Sequence, residues 1–201
     1  MPGLESAPVE NRNWTPWIVL GGIALAAVLV VLWGVSAYNR MVTLREGIPA
    51  AWAQVENVLQ RRYDLIPNLV STVKGYAKHE KDLLTEVTKL RSQWGAAKTP
   101  AAKVAASNAL EGALSRLMVV VEQYPNLKAN EGFLKLQDEL AGTENRIAVE
   151  RMRYNEMVRS YNTTVQRFPS SLIANRYGFE KMEEAYFKMD KEAAKAPKVD
   201  F

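Results

Sequence analysis

The chain has no cysteine and one histidine, His79. It therefore offers no thiol nucleophile. A zinc site, which needs several His, Cys or carboxylate ligands close together, has no cluster to build on. HExxH, GxSxG and Gly-rich phosphate loops are missing as well. His79, in Lys78-His79-Glu80, reads as a surface helix residue rather than a general base. Strand-like blocks of β-branched residues with alternating polarity are absent, which leaves an all-α class. An excess of one charge is lacking too. The 26 basic residues face 22 acidic ones, with both signs alternating along helical stretches. A nucleic-acid binder would concentrate basic charge on one face. These absences predict no catalytic residues, no metal, no cofactor, no nucleic-acid partner and no enzyme.

One stretch lacks charge altogether. Trp17 to Ala37, WIVLGGIALAAVLVVLWGVSA, is 21 residues long and is bracketed by Trp14/Trp17 and Trp33/Tyr38. As a helix it spans roughly 31 Å, about the hydrocarbon thickness of a bilayer. A helix also satisfies its own backbone in lipid, and aromatics suit both water–lipid boundaries. A signal peptide would have a basic start, a shorter core and a small-x-small cleavage site. Upstream there is only Arg12, beside Glu5 and Glu10, and the run ends in Trp33-Gly34-Val35-Ser36. The segment therefore reads as a retained transmembrane helix with ends at Trp17 and Ala37. Arg40, Arg45, Arg61 and Arg62 follow it, so the positive-inside bias places the C-terminal domain in the cytoplasm of an inner-membrane protein. Residues 1–37 hold one basic and two acidic side chains, leaving a net charge of +5 on the remainder.

Residues 1–16, with Pro2, Pro8 and Pro16, read as a disordered tail. Beyond the anchor, Ile48, Trp52, Val55, Leu59, Ile66, Leu69, Val73, Tyr76, Leu83, Val87, Leu90 and Trp94 recur at 4-3 spacing, with Arg62 and Glu80 as polar residues in the same register. Pro67 interrupts this stripe, because proline removes a helical hydrogen bond and disfavours helix at the preceding residue. A reversal near residue 65 is the expected result. It gives an antiparallel up-and-down bundle of four helices over 38–179, roughly 27, 28, 24 and 38 residues long. Thr99-Pro100 starts the third helix and Asn130 caps the last, whose stripe runs from Phe133 to Phe168 before Pro169. Residues 180–201 make a basic C-terminal helix or tail.

With that reversal, Arg61, Arg62, Asp64, Pro67 and Asn68 meet Pro125 and Asn126 at the end farthest from the membrane, a candidate partner-docking tip. Arg62, Glu80, Glu144, Glu150 and Arg151 form a candidate buried polar layer, since a charge in an apolar seam needs a partner. Tyr154-Asn155 and Tyr161-Asn162 repeat at seven residues and read as core packing with a polar seam, a binding stripe being the alternative. Pro169 to Phe179 returns close to the bilayer, to cap the bundle or to lie at the interface.

The blocks RRYDLIPNLVSTVKGYA (61–77), YPNLKAN (124–130), GTENRIA (142–148), Tyr154-Asn155, Tyr161-Asn162 and Phe168-Pro169 resemble the LemA family of bacterial membrane proteins, in the right order over roughly 38–201. Asn175-Arg176-Tyr177 departs from that pattern by being more polar. The resemblance implies an anchored helical domain and supplies no catalytic residue. Relatives in magnetosome vesicle membranes, and others encoded beside a membrane zinc metalloprotease, imply membrane organisation or quality control. The expected function is a single-pass helical scaffold, partnered by the bilayer and by further copies of itself. The alternative is an adaptor of another membrane protein, such as a protease. Gly21, Gly22, Ala26 and Ala27 would allow close helix approach in lipid.

Overall fold

A computed structural model describes residues 14–182. The described part is all-α, with no strand among its residues. Most of the expected N-terminal tail, and 183–201 of the expected C-terminal helix or tail, lie outside the described residues.

The first helix, α1, runs without a break from Thr15 to Tyr76. Thr15 and Pro16, assigned to the tail by sequence, form its first turn, where proline's missing N–H needs no partner. The expected reversal near 65 does not occur, and Pro67 lies inside the helix. Proline at 67 deprives the Tyr63 carbonyl of its usual helical donor, four residues on. Arg91 supplies the replacement, its Nε donating to the Tyr63 carbonyl oxygen at 3.1 Å. The chain instead turns at Ala77 to Glu80, so His79 sits in an exposed turn rather than on a helix.

The remaining elements are α2 (Lys81–Ala96), α3 (Pro100–Val121), α4 (Pro125–Lys128), α5 (Glu131–Gln166) and α6 (Ser170–Tyr177). Two local signals act as the sequence indicates. Thr99 Oγ1 accepts from the Ala102 N–H at 3.2 Å, and Asn130 Oδ1 accepts from the Phe133 N–H at 3.0 Å. Each satisfies one orphan donor of a first helical turn. At the end of α6, Gly178 takes φ +71°, and the Phe179 N–H returns to the Ala174 carbonyl at 3.0 Å. That left-handed turn suits glycine because no Cβ opposes it.

The part of α1 beyond the apolar segment is 39 residues long, about 58 Å, and α5 is 36 residues, about 54 Å. The two pair along this whole length. Met41, Ile48, Val55, Leu59, Ile66, Leu69 and Val73 of α1 are buried, as are Phe133, Leu140, Ile147, Tyr154, Val158 and Tyr161 of α5. Both sets follow a seven-residue repeat, the period that keeps one helix face against its neighbour. The edge of Trp52 meets Tyr154, with centroids 5.8 Å apart. The matched lengths explain why the face of α1 from 48 to 66 needs no reversal to be covered. The α2–α3 hairpin leans on the outer half of α1, reaching back to the level of Glu56, which pairs with Lys103. The helices therefore differ from the expected set, with a long α1–α5 pair and an α2–α3 hairpin on its outer half. The half next to the apolar segment is α1, α5 and α6.

Both α1 and α3 are long and apolar enough to cross a membrane. They differ in burial. The apolar window of α1 is wholly exposed, whereas α3 gives Leu110, Ala113, Leu114, Leu117 and Val121 to the core. Of the two, α1 is the one whose apolar window is left entirely uncovered by the rest of the domain.

Candidate functional site

Three places along α1 concentrate chemistry. The innermost is the Arg62 layer. Arg62 falls in the apolar seam between Leu59 and Ile66 because it keeps the seven-residue register of Val55 and Leu69. Its Nη1 donates to Glu144 Oε2 on α5. The arginine side chain is 9% exposed and the glutamate 39%, so water screens one end of the pair only. Beside Glu144, Thr143 returns its hydroxyl to the Leu140 carbonyl at 2.8 Å. Tyr63, the next residue of α1, stacks on Trp94 of α2 at 4.0 Å with the rings 13° from parallel. Lys103 Nζ lies over the Trp94 ring, 5.1 Å from its centroid. Burial pushes the Tyr63 hydroxyl up to about 12, against the opposing pull of Ser107 and Arg62.

The other expected members of the layer lie elsewhere. Glu80 accepts from the Tyr124 hydroxyl at 3.0 Å at the outer end, and this bond, ahead of burial, raises the tyrosine above its ordinary value. Glu150 pairs with Arg153 at 2.7 Å one turn along α5. Arg151 donates to Asn108 Oδ1 of α3 at 3.1 Å. Of the five, Arg62 and Glu144 form an ion pair across the seam; Glu80 lies beyond the end of α1, and Glu150 and Arg151 sit about two turns along α5 from Glu144.

The expected tip is likewise dispersed. Arg61, Arg62, Asp64, Pro67 and Asn68 lie within α1, and even Asn68 is about 12 Å short of its end at Tyr76. Pro125 and Asn126 belong to α4 at the outer end, near Tyr76, whose hydroxyl accepts from Asn130 at 3.0 Å. What the outer end does carry is a groove of about 590 Å³ between α1 and α2. Val70, Ala77 and Leu84 line it together with Lys74, Lys78, Lys81 and Lys89. None of the four lysines enters an ion pair among the described residues.

The third place is the end next to the apolar segment. Tyr38 meets the rings of Tyr177 at 5.0 Å and Phe179 at 5.5 Å, both edge-on. Phe179 is buried, while Phe168, Leu172 and Tyr177 are exposed. The Pro169–Phe179 segment thus both closes the end of the α1–α5 pair and presents apolar side chains outward. Tyr161 donates to the Glu180 carbonyl at 3.0 Å, and burial raises its hydroxyl, with Arg45 acting against this. Asn162 grips the Met182 backbone twice, accepting from its N–H at 2.8 Å and donating to its carbonyl at 3.1 Å. Sequence reasoning places Tyr161 and Asn162 at a polar seam but does not find this clamp. The asparagine following each repeated tyrosine is the signal that marks it.

The LemA family model matches residues 51–201 of this chain. The chain belongs to the LemA family. Magnetosome protein MamQ 2 of Paramagnetospirillum magneticum aligns with this LemA-family chain over 205 residues at 30% identity, covering 89% of the chain and 72% of the relative. MamQ of Magnetospirillum gryphiswaldense is 26% identical over 90% of the chain and 76% of its own length. Protein LemA of Metamycoplasma hominis is 24% identical over 69% and 64%. These relatives and the exposed apolar helix agree on a membrane-associated helical protein.

Proposed function

We propose that this LemA-family chain is a single-pass, non-catalytic membrane scaffold that self-associates, with its helical domain on the cytoplasmic side of the inner membrane. The observation that carries the reading is the unbroken helix from Thr15 to Tyr76. The apolar segment continues into the seam of the domain with no intervening loop, so the membrane and the domain are tied together as one rod. Such a rod fixes the height and tilt of whatever it carries, which a tethered enzyme does not need. Self-association draws support from Gly21 and Gly22, where an added Cβ would meet nothing within 4 Å, and the cytoplasmic side from the arginines that follow the span.

The lysine-lined outer groove favours a second reading, an adaptor that receives an acidic, apolar-faced segment of another membrane protein. Purification of the full-length chain from its own membranes in mild detergent, with size and co-purifying proteins determined, separates the two. A homogeneous homo-oligomer is expected. A monomer holding one stoichiometric foreign protein, lost on Lys74→Glu with Lys81→Glu, would replace the scaffold by the adaptor.

A further inference from the structure

At the level where the apolar run ends, a cavity of about 620 Å³ opens between α1, the last turns of α5 and the start of α6. Its lining begins at Ala37, the last residue of that run, and continues to Arg40 one turn out. Across it stand Arg159 and Arg167, with Thr163 and Ser170 adding hydroxyls. Glu156 is the one acidic residue of the lining, and it is held by Arg159 at 2.9 Å. Arg40 and Arg167 are in no ion pair among the described residues. The cavity therefore keeps an uncompensated double positive charge.

Its surroundings say where an occupant would come from. Phe168 is 76% exposed at the mouth, and Leu172 and Tyr177 of α6 are 60% and 61% exposed. Ile173 of the same helix lies against α1 at Gly34, inside the apolar run, 3.8 Å from where a Cβ there would sit. A basic pocket thus opens beside an apolar wedge at the depth of the headgroups. Arginine forks match phosphate oxygens, and a hydroxyl-lined pocket adds further donors.

We propose that this cavity binds the phosphate-bearing headgroup of an anionic glycerophospholipid, with Arg40 and Arg167 on the phosphate and the acyl chains leaving past Phe168 and Leu172. The proposal rests on the reading of Trp17 to Ala37 as a membrane span. A bound lipid would hold α6 to the bilayer and fix the rotation of the rod about its axis.

The test uses the full-length chain in detergent, with thermal unfolding followed as phosphatidylglycerol, phosphatidylcholine or inorganic phosphate is added. Phosphatidylglycerol should raise the midpoint at least tenfold lower in concentration than phosphatidylcholine. Arg40→Gln with Arg167→Gln should abolish that preference. Both side chains are exposed, so the variant's unfolding in phosphatidylcholine should match the parent. Equal response to the two lipids, or a preference that survives in the variant, overturns the site. A response to inorganic phosphate as strong as that to phosphatidylglycerol overturns the lipid as its source. Carbonate extraction of cell membranes reads the underlying span separately. A chain released by carbonate overturns the membrane reading, whereas a retained chain without lipid preference overturns the site alone.

Discussion

Replacing Glu144 with alanine lowers the stability of the domain by about 2–4 kcal/mol, while replacing its partner Arg62 with methionine changes it by less than about 1 kcal/mol. The asymmetry follows from where the two ends of the pair lie. Glu144→Ala leaves a guanidinium in a seam of Val55, Leu59, Ile66 and Leu69, with its side chain 9% exposed and no carboxylate to meet it. Its Nε is already buried without an acceptor. Arg62→Met leaves Glu144, which is 39% exposed and rehydrates, and it fills the seam with an apolar side chain of similar length. The 39% exposure also keeps the expected loss below the full cost of stranding a buried charge. Thermal unfolding of the full-length chain in detergent checks this. The Glu144→Ala midpoint should fall by about 4–16 °C, at roughly 2–4 °C per kcal/mol for a chain of this size. A larger fall for Arg62→Met would mean that the pair stabilises the fold by attraction rather than by avoiding a stranded charge.

Arg91→Ala costs about 1–3 kcal/mol, the range for a partly buried acceptor left without a donor. The acceptor is the Tyr63 carbonyl, which Pro67 cannot serve. Alanine at position 67 restores the missing N–H, so in a Pro67→Ala background the same Arg91→Ala change should cost less than half as much. The coupling in this double-mutant cycle isolates the Arg91–Tyr63 contact from the packing that Arg91 also makes. Equal losses in the two backgrounds would show that Arg91 acts through its stem alone.

That contact also explains what was and was not legible in the sequence. The caps at Thr99 and Asn130 act over three residues, so their spacing alone identifies them. The exposed apolar stretch from Trp17 to Ala37 is legible because its 21 residues carry no charge. Arg62 is legible as a seam residue because the 4-3 register runs straight through it, and the same register already argued for continuity past Pro67. Proline's local cost is plain in the sequence and predicts a reversal, whereas its compensation comes from Arg91, 28 positions from Tyr63 and on another helix. Once α1 continues, the tip at Arg61–Asn68 disperses and Glu80, Glu150 and Arg151 find partners of their own. The grip of Asn162 on Met182 spans 20 residues and is equally invisible to periodicity. Local chemistry named the ends of the helices, and long-range hydrogen bonds decided which of them are joined.

The central claim is that one helix carries the chain from the membrane to the far end of the domain. The absence of cysteine makes it directly measurable. Spin labels on Asn39→Cys and Gly75→Cys occupy exposed positions, and a Cβ at 75 meets nothing within 4 Å. Double electron–electron resonance on the full-length chain in nanodiscs should give a single distance of roughly 54 Å, the rise of 36 helical residues. A distance of roughly 25 Å, as a reversal near residue 65 would produce, would contradict it.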